Sequence, residues 1–314
     1  MRPLVLKTED FDDEPVRWLR ERCTVVECAP GNDGFAESLA QADALLVRTY
    51  TIVDDALLQA APRVRVVARG GVGLDNIDLR ACERRGIRVV HTPDANTQAV
   101  VEYVFTLIGD ALRPRVTLTR AVSSAEWRQL RAETVADRQL SECTLGILGL
   151  GRIGRRVAEV AHAIGMRVLY NDLVEIATAE RHGAQPVAVE TLFADADILT
   201  IHVDGRASNR GFVGAALIDR MKPNVLLLNT SRGFVVAPEA LAAFLRAHPD
   251  ALALLDVHEP EPVTPDSPLL GLPNARLFPH LASRTRTATS NMSWVVRPLW
   301  EALSELVGGS PDVT

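Results

Sequence analysis

Short apolar runs recur along the first third of the chain, at "PLVLKT", "ADALLVR", "VRVVARGG" and "IRVVHT". Segments with helical spacing, such as "DDALLQAAP" and "DLRACERRG", lie between them. Strands that read as nearly continuous apolar runs are buried on both faces, so this alternation predicts a parallel sheet covered by helices. A longer stretch, "NTQAVVEYVFTLIGDALRPR", carries apolar residues on nearly every turn and is expected as a helix running between two domains or into a subunit interface. A second series then begins with "TLGILGLG", "RVLYND", "ADILTIHV", "NVLLLNTS" and "ALALLDVHEP", again with helical spacing between the runs. Two parallel α/β units follow from this pattern, rather than one continuous sheet. Near the end, "HEPEPVTPDSPLLGLPNARLFPH" is too rich in proline for a helix or a central strand and reads as an ordered loop or linker, with an apolar "PLLGL" that needs burial.

Composition narrows the function. A length of 314 residues suits two domains, and 47% hydrophobic content is enough for their cores. The formal charge of −6 is spread without blocks, so nucleic acid is not an expected partner. The only lysines are Lys7 and Lys222, and no Gly-Lys-Ser/Thr phosphate loop is present. Cys23, Cys28, Cys82 and Cys143 form no Cys-x-x-Cys pair and have no His at ligand spacing, so no metal is expected. The opening "MRPLVLKTEDFDDEP" lacks the apolar run of a signal peptide, and nothing approaches a membrane span. A cytoplasmic protein with no membrane partner is the expectation.

Gly149, Gly151 and Gly154 form G-x-G-x-x-G, a short pattern whose weight comes from its surroundings. A strand precedes it, a helix follows, and the next strand ends at Asp172, about 18 residues beyond Gly154, where an acid bonds the ribose hydroxyls of an adenosine. The helix N-terminus supplies partial positive charge to a pyrophosphate. An Asp at 172 repels a 2′-phosphate, and "DLVEIA" offers no nearby Arg, so the expected cofactor is NAD rather than NADP.

Three candidates for chemistry lie at or just after the later strands, where open parallel sheets bind ligands. Arg232 stands in "NTSRG", Glu261 in "DVHEPEP" and His280 in "LFPHLAS". Removing hydride from a hydroxyl carbon requires a base for the hydroxyl proton, and a His held by a carboxylate suits that work near neutral pH. Arg232 suits a carboxylate and an adjacent carbonyl.

In that order, "GILGLGRIGRRVA", "LLNTSRGFVV", "LDVHEPEP" and "FPHLASRT" resemble the D-isomer-specific 2-hydroxyacid dehydrogenase family across nearly the whole chain. The resemblance implies a Rossmann cofactor domain, 99–285, inserted into a flavodoxin-like substrate domain, 1–98 and 286–314, both doubly wound. It also implies a homodimer packed through the cofactor domain. Carried onto matching positions, it makes His280 the acid/base and Arg232 the anchor of the substrate's carboxylate and carbonyl. Glu261 then orients His280 and favours its protonated form. It gives Asp256 to the nicotinamide carboxamide and adds Arg152, Ile153 and Thr230 to the cofactor set.

Within the family, the first third is most like the D-3-phosphoglycerate dehydrogenase branch. Arg48 in "LLVRTYT" and Arg69 in "ARGGVGLDN" suit an anionic substrate, Val72 and Gly73 offer backbone N–H groups to a carboxylate, and Asn96 joins the substrate set. The sequence stops at Thr314, so a short form without regulatory C-terminal domains is expected. Departures from the family pattern are Asp204 in "HVDG", Ala237 after "RGFVV", His258 where an aromatic is common, and Ser283 with Arg284 after His280. Arg284 reads either a second anionic group or solvent or a dimer interface. The expected substrate is D-3-phosphoglycerate or a similar D-2-hydroxy acid with a distal anion. The alternatives are glyoxylate or hydroxypyruvate reduction, a phosphonate-type hydroxyacid of secondary metabolism, and, by fold analogy alone, an NAD-sensing corepressor-like binding protein.

Overall fold

The apolar runs of the first third form β1 (Leu4–Lys7), β3 (Ala44–Val47), β4 (Val66–Arg69) and β5 (Arg88–His91), and a further strand, β2 (Thr24–Glu27), pairs on the edge beside β1. In the computed structural model, which describes residues 2–307, these strands belong to one of two compact units. That unit takes the chain through Asn96 and again from Ser283; the other is Thr97–Ala282. The family resemblance placed these crossings near 98 and 285.

In the first unit the order is β2-β1-β3-β4-β5, all parallel, the flavodoxin-like arrangement. Helices α1 (Asp13–Arg20), α2 (Phe35–Gln41), α3 (Asp55–Gln59) and α4 (Leu79–Arg84) connect the strands. Side chains alternate across a strand, and both faces are buried here. Val5, Leu46 and Val66 pack with Leu19 of α1 and with Val296, Leu299 and Leu303 of the helix Val296–Val307. Leu6, Leu45 and Val67 pack on the other face with Leu58 of α3 and Cys82 of α4.

The second unit holds β6 (Thr144–Leu148), β7 (Arg167–Asn171), β8 (Gln185–Pro186), β9 (Ile198–Ile201), β10 (Leu226–Asn229), β11 (Leu252–Leu255) and β12 (Ala275–Leu277). Their order, β12-β11-β10-β9-β6-β7-β8, is the doubly wound Rossmann order extended by one strand. Helices α5 (Thr97–Leu112), α6 (Ser124–Glu133), α7 (Arg152–Ile164), α8 (Val189–Asp195), α9 (Ala215–Ile218) and α10 (Pro238–Ala247) complete it. Val104 and Ile108 of α5 pack with Leu145, Ile147, Val157 and Ala161, so the long apolar helix is a wall of this unit's core. Phe193 and Leu241 pack with Leu148, Leu199 and Leu227 on the opposite face. In the proline-rich stretch, Leu269 is buried in that same cluster, and β12 is an edge strand. Among the described residues no helix is long and apolar enough to cross a membrane, and no three His, Cys, Asp or Glu side chains cluster as metal ligands.

Asp197, at the start of β9, ties this sheet together at its N-terminal edge. Its side chain is 13% exposed and accepts from Thr144 N at 2.8 Å, Lys222 Nζ at 3.0 Å and Arg138 Nη1 at 2.9 Å. Burial opposes the charged form, but these donors outweigh it and hold the carboxyl below the usual aspartate range. A pKa lower in the folded than in the unfolded chain gives stability that is complete above about pH 4 and lost as pH falls through the folded value. Asp197→Asn is therefore expected to lower Tm at pH 7 and to flatten the fall of Tm between about pH 5 and pH 2. Parallel Tm-against-pH curves for the two proteins would contradict this.

Candidate active site

The glycine turn between β6 and α7 has the form of a dinucleotide cradle. Gly149 has φ of 91°, a backbone that L side chains rarely adopt, and its N–H donates to Asn171 O at 2.8 Å. A Cβ on Gly154 would lie 2.2 Å from the Gly149 carbonyl oxygen, so only glycine lets the helix come this close. A Cβ on Gly151 would meet nothing within 4 Å, which leaves its backbone open to a ligand. No side chain caps the N-terminus of α7, where Arg152 and Ile153 begin the helix. Uncapped donors at such an end are suited to phosphate.

Asp172 closes the turn: Oδ2 accepts from Leu150 N at 2.7 Å and Oδ1 from Val174 N at 3.1 Å. A carboxylate has about four acceptor sites, so two bonds to the turn leave capacity for ribose hydroxyls. Thr230 Oγ1, just past β10, and His202 Nδ1, just past β9, are buried without a hydrogen-bond partner. Unpaired buried polar atoms are costly in a finished interior and are found where a ligand completes the site. The cradle, the uncapped helix and the Thr230 hydroxyl fit NAD.

The chemistry sits on the loops after β10, β11 and β12. His280 Nδ1 and Glu261 Oε2 are 2.9 Å apart. Glu261 Oε1 also accepts from His258 N at 3.0 Å. Partial burial raises the Glu261 carboxyl pKa, yet the bonds from His280 and His258 prevail and keep it below the usual glutamate range. His258, one of the departures from the family pattern, donates its Nε2–H to the Phe278 carbonyl at 2.8 Å and so braces the segment leading to His280.

Arg232 is set by Asn229, a residue that sequence reasoning passed over. Asn229 Oδ1 accepts from Ser231 N at 3.0 Å and Ser231 Oγ at 2.7 Å, and its Nδ2 donates to Arg232 O at 2.9 Å. Gly233 lies directly against the His258 backbone, where a Cβ would sit 2.0 Å from the carbonyl carbon. The Arg232 loop and the His258–Glu261 loop thus meet at a glycine. Asp204 pairs with Arg206 at 2.7 and 2.5 Å and accepts from Asn209, and the nearby Arg232 charge helps hold its carboxyl low after the Arg206 bonds. Ala237 leaves α10 without a side-chain cap.

In the first unit, Arg48 follows β3, Arg69 ends β4, and Val72 and Gly73 follow it, all at the C-terminal edge of the sheet. Arg69 Nε donates to Arg48 O at 3.1 Å. His91 Nδ1 donates to the Val72 carbonyl at 3.0 Å, and Asn96 Oδ1 is buried without a partner. Glu9 organises this edge: its carboxylate accepts from the backbone N–H groups of Arg48, Thr49, Tyr50 and Thr51 at 2.9 to 3.0 Å. Desolvation raises its pKa, but those four bonds prevail and hold it low. Its place directly after β1, at the ligand-binding edge of a parallel sheet, was the one signal that marked it. Arg284 and Arg286 stand at the start of the helix Arg286–Ser293, which Thr285 caps through Ala288 N at 3.1 Å.

A dinucleotide cradle on a Rossmann sheet, with a carboxylate-held imidazole and a guanidinium on the loops beyond it, defines a pyridine-nucleotide oxidoreductase. Residues 105–282 match the model of the D-isomer-specific 2-hydroxyacid dehydrogenase NAD-binding domain. The chain is 35% identical to a D-3-phosphoglycerate dehydrogenase of Archaeoglobus fulgidus over 93% of its own length, and spans 55% of that protein. It is 37% identical to an (S)-sulfolactate dehydrogenase of Chromohalobacter salexigens, covering 93% of this chain and 95% of that one. A glyoxylate reductase structure from Paecilomyes thermophila superposes with a TM-score of 0.82 at 28% identity, over 97% of this chain and 96% of that one. The chain belongs to the D-isomer-specific 2-hydroxyacid dehydrogenase family. NAD-dependent oxidoreduction is the activity of that family.

Proposed function

We propose that this chain interconverts a D-2-hydroxy acid and its 2-oxo acid, and that the acid carries a distal tetrahedral oxyanion, as D-3-phosphoglycerate does. The observation that carries the anion is a hollow of about 510 Å³ in the first unit, lined by Arg284, Arg286, Thr285, Thr289 and Ser290, with the carboxylate of Asp12. Burial lowers the Arg48 pKa, and the neighbouring charge of Arg284 lowers it further. Two guanidiniums close enough to lower each other's proton affinity are relieved by an anion near both. The hydroxyls add donors suited to a phosphate, phosphonate or sulfonate.

NAD supplies a hydride acceptor when the acid is oxidised and a donor when the oxo acid is reduced. In oxidation His280 Nε2 takes the C2 hydroxyl proton, while Glu261 holds Nδ1–H and stabilises the imidazolium that forms. In reduction His280 returns that proton. Arg232 holds the carboxylate and the carbonyl that forms beside it. Asp172 takes the adenosine ribose, the α7 N-terminus takes the pyrophosphate, and Arg69, Val72, Gly73 and Asn96 bind the substrate's carboxylate end.

The test is NADH absorbance against D-3-phosphoglycerate, sulfolactate, D-lactate, glyoxylate and hydroxypyruvate, with wild type and Arg284→Ser. The expected result is preference for an acid with a distal oxyanion, and a KM about tenfold higher for that acid alone in the variant. Equal effects on all acids, or preference for glyoxylate or hydroxypyruvate, would replace this substrate class with the simple reductase. The same reading carries a homodimer packed through the Rossmann unit, supported by Val116, Leu118, Trp127 and Val135 exposed along 113–139. Light scattering that finds a monomer would remove it.

A further inference from the structure

β6 runs between β7 and β9, so its glycine turn is flanked by the ends of both. On one side Gly149 N–H donates to Asn171 O at 2.8 Å, and Asp172 Oδ2 accepts from Leu150 N at 2.7 Å. On the other side a Cβ on Gly149 would lie 2.9 Å from the His202 carbonyl carbon and 3.0 Å from Val203 N. The segment that continues from Val203 therefore borders the cradle opposite Asp172, at the ligand-binding edge of the sheet.

That segment carries a pair of opposite charges. Arg206 Nε donates to Asp204 Oδ1 at 2.7 Å and Nη2 donates to Oδ2 at 2.5 Å, a two-pronged fit of guanidinium to carboxylate. Asp204 is the anchored member. Its Oδ1 also accepts from Arg206 N at 3.2 Å and from Asn209 Nδ2 at 3.1 Å, and the same Asn209 amide holds the Asp204 carbonyl at 2.9 Å. Asn209 is buried, whereas the long Arg206 side chain is 53% exposed and is the member that can swing. Exposed pairs of this kind add little to stability, so the surroundings matter more than the bond itself. The guanidinium is held charged first by its bonds to Asp204 and the charge of that carboxylate, and then by the charge of Asp172 across the turn. An arginine is absent from "DLVEIA" directly after Asp172, but the fold brings one from the end of β9.

We propose that Arg206 is a second reader of the adenosine ribose, suited to a 2′-phosphate, and that Asp204 locks it, so that the preference for NAD over NADP is set by Asp204 together with Asp172. The inference rests on the reading of the 149–172 turn as the adenosine end of the cofactor site. A 2′-phosphate beside Asp172 is repelled, and a guanidinium is the group that accommodates it. While both prongs of Arg206 rest on Asp204, its charge is balanced and its paired donors are engaged. Asp204 is one of the departures from the family pattern, so the lock is a feature of this chain rather than of the fold.

The test is calorimetric titration of the full chain with NADH, NADPH, AMP and adenosine 2′,5′-bisphosphate. The last two ligands carry no nicotinamide, so binding is read without turnover. Wild type is compared with Asp204→Asn, Arg206→Gln, the double variant and Asp172→Ser. Asparagine keeps the carbonyl oxygen that Asn209 bonds and removes the charge. In Asp204→Asn the Kd for NADPH and for the bisphosphate is expected to fall about tenfold, with NADH and AMP within about twofold of wild type. The double variant should lose most of that gain, because the two residues act as a unit, and Arg206→Gln alone should change the bisphosphate Kd by less than about threefold. A gain that persists in the double variant would mean that Asp204 acts by plain repulsion, and would overturn the lock. An unchanged bisphosphate Kd in Asp204→Asn would overturn it as well. Asp172→Ser keeps the two readings apart, since it is expected to weaken NADH and AMP about tenfold. If it does so while Asp204→Asn changes nothing, the cofactor reading stands and the lock alone fails. If Asp172→Ser changes no affinity, the adenosine lies elsewhere and both fall.

Discussion

Replacing His280 by alanine is expected to reduce turnover by about 10²–10⁴-fold in both directions while leaving NADH affinity unchanged. The side chain has no core role to lose: it is 44% exposed, and its hydrogen bond is to Glu261 at 2.9 Å. The loss is therefore chemical, the removal of a proton acceptor in oxidation and of a donor in reduction. Oxidation, which uses this group as a base, and reduction, which uses it as an acid, should show opposite pH dependences in the wild type. In the variant both dependences should flatten. Glu261→Gln is expected to lie between the two proteins, because a glutamine carbonyl still accepts the Nδ1 proton but does not balance an imidazolium. Stopped-flow NADH absorbance over pH 5 to 9 measures this. Retained turnover with a sloping pH profile would place the proton transfer elsewhere.

Gly233→Ala is expected to be nearly as damaging by a different route. The added methyl would sit 2.0 Å from the His258 carbonyl carbon and 2.1 Å from its oxygen, both backbone atoms that cannot rotate away. The loops carrying Arg232 and Glu261 must separate by an ångström or more, and a shift of about 1 Å at a catalytic group costs about 10²-fold. Overpacking adds about 1–3 kcal/mol of destabilisation, which calorimetry should show as a lower Tm. NADH binding at the Gly149–Gly154 turn should survive, since that turn is built by other elements of the same unit. Wild-type kinetics in this variant would mean that the two loops move independently.

Much of this was legible in the amino-acid sequence, because the strands that position the site are central and buried on both faces. Continuous apolar runs such as those of β3, β9 and β10 read clearly for that reason. The edge strands β2, β8 and β12 did not, being short, partly exposed and paired on one side, so that their residues carry no uniform pattern. The glycine turn, Asp172, Arg232, Glu261 and His280 were readable because their chemistry is tied to fixed spacing after strand ends.

What holds those residues in place was not readable. Glu9 gathers four amides of the 48–51 loop, Asn229 shapes the Arg232 turn, and His258 braces Phe278. Asp256 receives the amides of Leu281 and Ala282, just after His280. The backbone partners of Glu9 and Asp256 lie about 25 to 42 residues away in the chain. Periodicity records which face of an element is buried, and a motif records which chemistry is present. A backbone amide looks the same at every position, so the choice of which carboxylate receives it is made only when crossover connections bring distant strand ends to one edge of the sheet.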